Sequence, residues 1–212
     1  LTIHYASLIG QTVRCETLMS GLRGRPRDNA LDTAIADATA SVLLSDGYAA
    51  VNIDRVAKLA GTTRAAIYRR ARTRGELVVG LLVSRFGSDP APDSGPLRRD
   101  LLLLQRLQRE FFAHPVIQAG LAGVLSDITV DDDLGGVFYE RFMAPRRRSV
   151  AAMLARAADR GEIAPVERPD IVSDLLTGPL LLRAVLPTIG PMDDTLLTAT
   201  VEAAANACAP AR

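Results

Sequence analysis

Two cysteines and two histidines in 212 residues leave little material for redox, metal or nucleophilic chemistry. Cys15 and Cys208 lie near opposite ends of the sequence. They form neither a metal-ligand spacing nor a disulfide framework, a usage that fits a reducing cytosol. His4 and His114 have no local motif around them, so neither cysteine has an obvious activating base. Long apolar runs are also missing. No uninterrupted stretch reaches the ~18 residues that spanning a bilayer requires, and the richest runs, 101–104 and 180–182, have Arg and Asp nearby. No segment shows strand-like alternation or a hairpin signal. Ser/His/Asp, paired-carboxylate, Cys/His and phosphate-loop constellations are all lacking. Asp131, Asp132 and Asp133 are consecutive, do not share one helical face, and read better as a helix start than as metal ligands. The chain is therefore read as all-α and non-enzymatic, with no cofactor and no metal.

Lysine is almost absent as well: Lys58 is the only one, so the cations are nearly all arginine. Their distribution is more telling than the net charge of +1. Residues 1–86 carry 12 Lys/Arg against 7 Asp/Glu, whereas residues 87–212 carry 13 against 17. A basic first part and an acidic remainder suggest a nucleic-acid module attached to something else. Apolar residues make up 48% of the chain, ample for a core.

Residues 52–70, NIDRVAKLAGTTRAAIYRR, read as two short helices joined by a tight turn. Ile53, Val56, Ala57 and Ala60 recur at helical spacing behind Asn52, a natural N-cap. Gly61 breaks the pattern, and a second helix starts at Thr62 or Thr63. Ala57 lets the helices approach, Gly61 permits the turn, and Ile67 locks the second helix onto the first. Thr63, Arg64, Tyr68, Arg69 and Arg70 are expected on the outer face. Guanidinium groups there suit guanine edges or phosphates, and hydroxyls suit phosphate oxygens. A helical hairpin with a merely basic, solvated face is the plainer reading of this stretch alone.

The flanking sequence narrows the choice. Residues 1–18 lack an initiator Met and do not form a signal peptide; they are read as upstream or non-native sequence ahead of Met19. Residues 21–27, GLRGRPR, form a flexible basic arm, and arms of this kind lie in minor grooves. A helix is expected from 28 to 45, with Leu31, Ile35, Ala38, Val42 and Leu43 inward, ended by Asp46-Gly47. Thr73 and Glu76 make a capping box that starts the next helix.

The stretch 24–86 resembles the DNA-binding domain of the tetracycline-repressor (TetR) family. GRPRD and then DGYAAVNIDRVAKLAGTTRAAIYRRARTRGELV follow that family's order: a glycine-aromatic pair, a capped helix, A-G, a recognition helix ending in Tyr and a basic pair, and a Thr-Arg-x-Glu-Leu helix start. The chain departs from the pattern at Ala71 and Arg72, where the family often carries an aromatic and then Pro, so a looser junction is expected there. The resemblance implies a sequence-specific regulator, mostly repressors, whose C-terminal helices dimerise and bind an inducer. It divides the chain into an extension and arm (1–23), a helix-turn-helix domain (24–86) and a ligand-binding and dimerisation domain (87–212).

On that reading Arg64 reads bases, with Thr63 and Ala65 beside it. Thr62, Tyr68 and Arg69 meet phosphates, Asn52 and Arg74 sit at helix N-termini that favour anions, and Arg25 and Arg27 belong to the arm. Residues 87–96, GSDPAPDSGP, form a linker. Helices follow over about 97–113, 115–126, 134–160 (bent by Pro145 and ended by Gly161), 170–186 (interrupted by Gly178-Pro179) and 193–209. The last two are candidates for a homodimer interface, the final one through Leu196, Ala199, Thr200, Ala203, Ala204 and Ala207. Phe111, Phe112, His114, Ile117, Leu121, Phe138, Phe142 and Leu176 are candidate lining residues for a small apolar or amphipathic ligand, although such a set is also what a plain core looks like. Arg146, Arg147 and Arg148 read as a solvated face. The expected setting is the cytoplasm. The rival to a ligand-controlled regulator is a helical protein that uses its basic head on DNA without sequence preference, or on another partner.

Overall fold

The computed structural model describes residues 29–87 and 91–208, and every regular element among them is helical. Helix α1 (Asn29–Asp46) buries Ile35, Ala38, Val42 and Leu43 and leaves Asp37 and Ser41 outside. It ends at Gly47, whose φ of 80° is a conformation that suits glycine. A short 3-10 turn, Tyr48–Ala50, leads into α2 (Ile53–Leu59). There the Asn52 side chain accepts from the Arg55 N–H at 2.9 Å, the expected cap. Helix α3 (Arg64–Tyr68) and helix α4 (Arg74–Phe86) complete the head. At the start of α4, Thr73 Oγ1 accepts from the Glu76 N–H at 3.1 Å. The return half of the capping box is shifted by one residue: the Glu76 carboxylate accepts from the Arg72 N–H at 3.0 Å.

Helices α5 (Leu97–Ala113) and α6 (Pro115–Ile128) meet at His114 with a bend of 82°. Helix α7 (Asp132–Phe138) is capped by Asp131, whose carboxylate accepts from the Leu134 N–H at 3.0 Å. It passes through one π-type turn, Tyr139–Met143, into α8 (Ala144–Asp159). The long helix expected here is thus widened just ahead of Pro145. Pro145 has no N–H for the carbonyl four residues earlier and its ring crowds that carbonyl, a conflict that a π turn relieves.

Helix α9 (Pro169–Val185) runs through Gly178-Pro179 without the expected interruption. The Leu176 carbonyl, next to the one that Pro179 leaves without its helical donor, accepts from Gln105 Nε2 at 2.9 Å. Gln105 is fully buried, so this bond ties α5 to α9 beside the turn that Pro179 interrupts. Helix α10 (Asp194–Ala207) closes the fold.

Two apolar cores result. One joins α1–α4 to α5, α6 and α7 through Val42, Leu43, Val78, Leu82, Val116, Ile117, Val124 and Phe142. The other unites α5, α8, α9 and α10 through Leu101, Val150, Met153, Leu154, Leu176 and Val201. Each fully buried Leu, Ile or Val contributes roughly 1.5–3 kcal/mol relative to leaving it exposed. The first core therefore ties the head firmly to α6. Gly123 permits the closest approach, since a Cβ there would lie 2.3 Å from Tyr48 ring atoms. Among the described residues, no single helix is long and apolar enough to cross a membrane.

The arginine run on α8 is not the solvated face expected from the sequence. Arg146 Nη1 donates to the Phe142 carbonyl at 2.7 Å and Nη2 to the Gly87 and Phe86 carbonyls at the end of α4, the first at 2.9 Å. Its guanidinium also lies 3.6 Å from the centre of the Phe142 ring. Arg147 pairs with Asp174 on α9. A flat, multi-donor cation can cap orphan carbonyls and stack on an aromatic ring at once, and sequence periodicity carries no sign of that.

Candidate nucleic-acid interface

The turn between α2 and α3 is built as the spacing requires. Gly61 has φ 62°, and the Thr62 N–H returns to the Ala57 carbonyl at 3.0 Å. Ala57, Ala66 and Ile67 are buried, Ile67 completely. Helix α3 begins at Arg64, slightly later than expected, because Thr63 is extended and its hydroxyl accepts from the Ala66 N–H at 3.2 Å. The helix is five residues long.

That face carries Thr63, Arg64, Ala65, Tyr68 and Arg69, all exposed, with Thr62 half-buried beside them. Arg64, Tyr68 and Arg74 line one open concavity of about 400 Å3 together with Val51, Asn52, Ile53 and Asp54. Asn52 has its amide occupied: besides its cap, Nδ2 donates to the Ala50 carbonyl at 3.1 Å. Arg25 and Arg27 lie outside the described residues. Arg70 does not share the outer face as expected. It turns back to pair with Asp32 on α1 and donates to the Ala66 carbonyl at 3.1 Å.

Arg74 has two neighbourhoods. Its side chain is 45% exposed on the concavity, yet its Nε donates to Asp127 Oδ2 at 3.1 Å and Nη2 to Oδ1 at 3.4 Å. Tyr48 Oη donates to the same carboxylate at 2.8 Å, and the Arg74 guanidinium lies 5.3 Å from the Tyr48 ring centre. The Arg74 hydrogen bond holds the Asp127 carboxyl below the usual carboxylate range. Burial, followed by the bond to Asp127, pushes the Tyr48 hydroxyl well above its ordinary value. The set joins the start of α4 to the last turn of α6, and no sequence spacing signals it. Asp54 carries no such signal either. Its Oδ1 lies 2.7 Å from Arg64 Nε.

The candidate ligand-lining residues divide. Phe111, Phe112, Ile117, Leu121, Phe138 and Phe142 share the first core. Phe138 and Phe142 stack at 5.3 Å, and Phe111 meets Phe142 at 5.9 Å. His114 caps α6 by accepting from the Val116 N–H at 3.2 Å and packs edge-on to Phe86 at 4.8 Å. Burial, and then the charge of Arg85, lower its pKa. Leu176 does not join this group: it is fully buried in the second core.

Comparison with known proteins agrees with this architecture. Residues 35–81 match the model for bacterial regulatory proteins of the tetR family, and residues 91–204 match that for the tetracyclin repressor-like C-terminal domain. An uncharacterized HTH-type transcriptional regulator of Mycobacterium tuberculosis is 31% identical over 167 residues, covering 78% of this chain and 81% of the relative. The DNA-binding transcriptional repressor TetR of Mycobacteroides abscessus is 30% identical over 184 residues, covering 85% and 92%. The crystal structure of the TetR family transcription regulator SCO0332 has a TM-score of 0.70 at 25% identity, covering 85% of this chain and 99% of that one.

Proposed function

The chain belongs to the TetR family of helix-turn-helix transcriptional regulators, not to an enzyme family, and from that premise we propose that it is a cytoplasmic repressor. It sits on a near-palindromic operator as a homodimer and leaves when a small apolar or amphipathic molecule binds its C-terminal domain. Residues 24–86 form the DNA-binding unit and 87–212 the ligand-binding and dimerisation unit. The observation that carries the reading is the outward face of α3, with Arg64, Tyr68 and Arg69 exposed beside the concavity at the start of α2.

Arg64 reads a base edge, with Thr63 and Ala65 against the neighbouring base pairs. Thr62, Tyr68, Arg69 and Arg74 hold phosphates and fix the register, and Asn52 sets the N-terminus of α2, where an anion is favoured. Arg25 and Arg27 follow the adjacent minor groove. One five-residue recognition helix offers little contact area, so affinity comes from two copies about one helical turn apart.

Exposed apolar residues on and just after α9 support pairing: Ile171 and Leu182 on the helix are 45% and 49% exposed, and Leu186, which ends it, is 49% exposed. On α10 the small-residue face splits, with Thr200 and Ala204 packed inward and Ala199, Ala203 and Ala207 outward. The outward set offers room for a partner helix to approach.

The inducer site is assigned to the Phe111, Phe112, Phe138 and Phe142 cluster, with Ile117, Leu121 and His114. A molecule prising these rings apart displaces α6, and through Asp127 disturbs the Arg74 end of α4, changing the separation of the two recognition helices. Footprinting on the chain's own upstream intergenic DNA tests the proposal. A discrete, symmetric protected site that a hydrophobic ligand abolishes is the expected result. Diffuse protection that follows no sequence overturns it.

A further inference from the structure

An acid in the middle of a surface that faces phosphates needs a reason. Asp54 lies in the first turn of α2 and lines the same concavity as Arg64, Tyr68 and Arg74. Its carboxylate repels every phosphate nearby, which weakens binding to any sequence. Nor does it hold the fold together: the Asp54 and Arg64 side chains are 62% and 63% exposed, and an ion pair that open contributes little to stability. Its position relative to Arg64 does supply a reason. Oδ1 lies 2.7 Å from Arg64 Nε, an ion pair that places the carboxylate against that side of the guanidinium.

We propose that Asp54 is a positioning residue for specificity, which fixes the Arg64 guanidinium so that its two terminal nitrogens are presented to a guanine. This rests on the reading of α3 as the recognition helix. A guanidinium has five N–H donors in one plane. With the carboxylate against Nε, the side-on edge is occupied and the Nη1/Nη2 end remains as the fork. That fork matches the O6 and N7 acceptors of guanine in the major groove. Left alone, Arg64 has several rotatable bonds and phosphates within the same groove to pair with. The carboxylate restrains the rotamers before binding and disfavours a phosphate as an alternative partner, so a general attraction becomes a base-selective contact.

The test measures equilibrium binding of the full chain to a footprinted operator and to single-base variants across one half-site, at one fixed salt concentration. Wild type, Arg64→Ala, Asp54→Ala and Asp54→Asn are compared, each with a helical spectrum matching wild type. Wild type is expected to prefer guanine at one position by roughly 5- to 150-fold, the scale of one bidentate arginine–guanine contact. Arg64→Ala abolishes that preference. Asp54→Ala flattens the preference at the same position while binding the other variants as tightly as wild type or more so. Asp54→Asn, which keeps an acceptor oxygen but no charge, retains part of it. If both Asp54 variants gain affinity equally on every sequence and keep the wild-type preference, Asp54 is only a repulsive charge and the proposal is wrong. If wild type itself shows no base preference, the recognition reading of α3 fails instead.

Discussion

Tyr48 on the loop after α1 donates its hydroxyl hydrogen to Asp127 on α6 across 79 positions of sequence, at 2.8 Å. Arg74, at the first position of α4, donates to the same carboxylate. Three segments of chain thus meet on one side chain, and the head is fastened to α6 at the point where α4 starts. Tyr48→Phe keeps the ring packed over Gly123 and loses only the hydrogen bond, so it is expected to lower unfolding free energy by about 1 kcal/mol. Asp127→Ala strips both donors of their acceptor and is expected to cost more, about 1–3 kcal/mol. Chemical denaturation of the two variants beside wild type measures both.

The same carboxylate gives a pH dependence of known sign. Its pKa is lowered in the folded chain, first by the Arg74 hydrogen bond. The unfolded chain therefore takes up the proton at a higher pH than the folded one. The contribution is fully present above the ordinary carboxylate value of about 3.9 and is lost as pH falls through the lowered folded value. The stability gap between wild type and Asp127→Ala is expected to stay constant from neutral pH to about 5 and to shrink below about 4. Denaturation midpoints across that range read it directly.

Arg146 closes the other end of α4. It donates to the Gly87 and Phe86 carbonyls and stacks on Phe142. Arg146→Ala leaves those carbonyls without their donor, and the expected loss is about 1–3 kcal/mol. Arg146→Lys should recover little of it, because an ammonium cannot reproduce the flat, forked set of donors. Thermal unfolding of the pair distinguishes a lost shape from a lost charge.

The elements that read well from sequence are those set by local rules. The Asn52, Thr73 and Asp131 caps, the Gly47 and Gly61 turns, and the inward Ala57 and Ile67 each depend on neighbours within a few positions. Local spacing is silent where the deciding partner is remote. Arg70 turns to Asp32 on α1, Arg146 to the end of α4, and Gln105 to the turn that Pro179 weakens. Leu176 shows the matching limit for apolar residues: helical spacing marks it as inward but does not say which of two cores it enters. The Arg64–Asp54 pair spans only ten positions, yet it depends on the angle between α2 and α3, which composition does not convey.

The exposed leucines at the C-terminal end of α9 give a prediction about assembly. Leu182 and Leu186 are each 49% exposed. Replacing both with Glu places two charges in the proposed interface and removes little from either core. Sedimentation is expected to show wild type as a dimer and the double variant as a monomer with an unchanged helical spectrum. The monomer should bind a half-site weakly and lose the cooperativity of the full operator.

The most direct measurement is competition at one salt concentration between the chain's own upstream intergenic DNA and a scrambled duplex, for wild type and Arg64→Ala. A specific regulator is expected to favour its site by about a thousandfold or more, and Arg64→Ala should remove roughly tenfold of that. Equal, weak binding of wild type to both duplexes, unaltered by the substitution, would contradict the account and leave the head a merely basic helical surface.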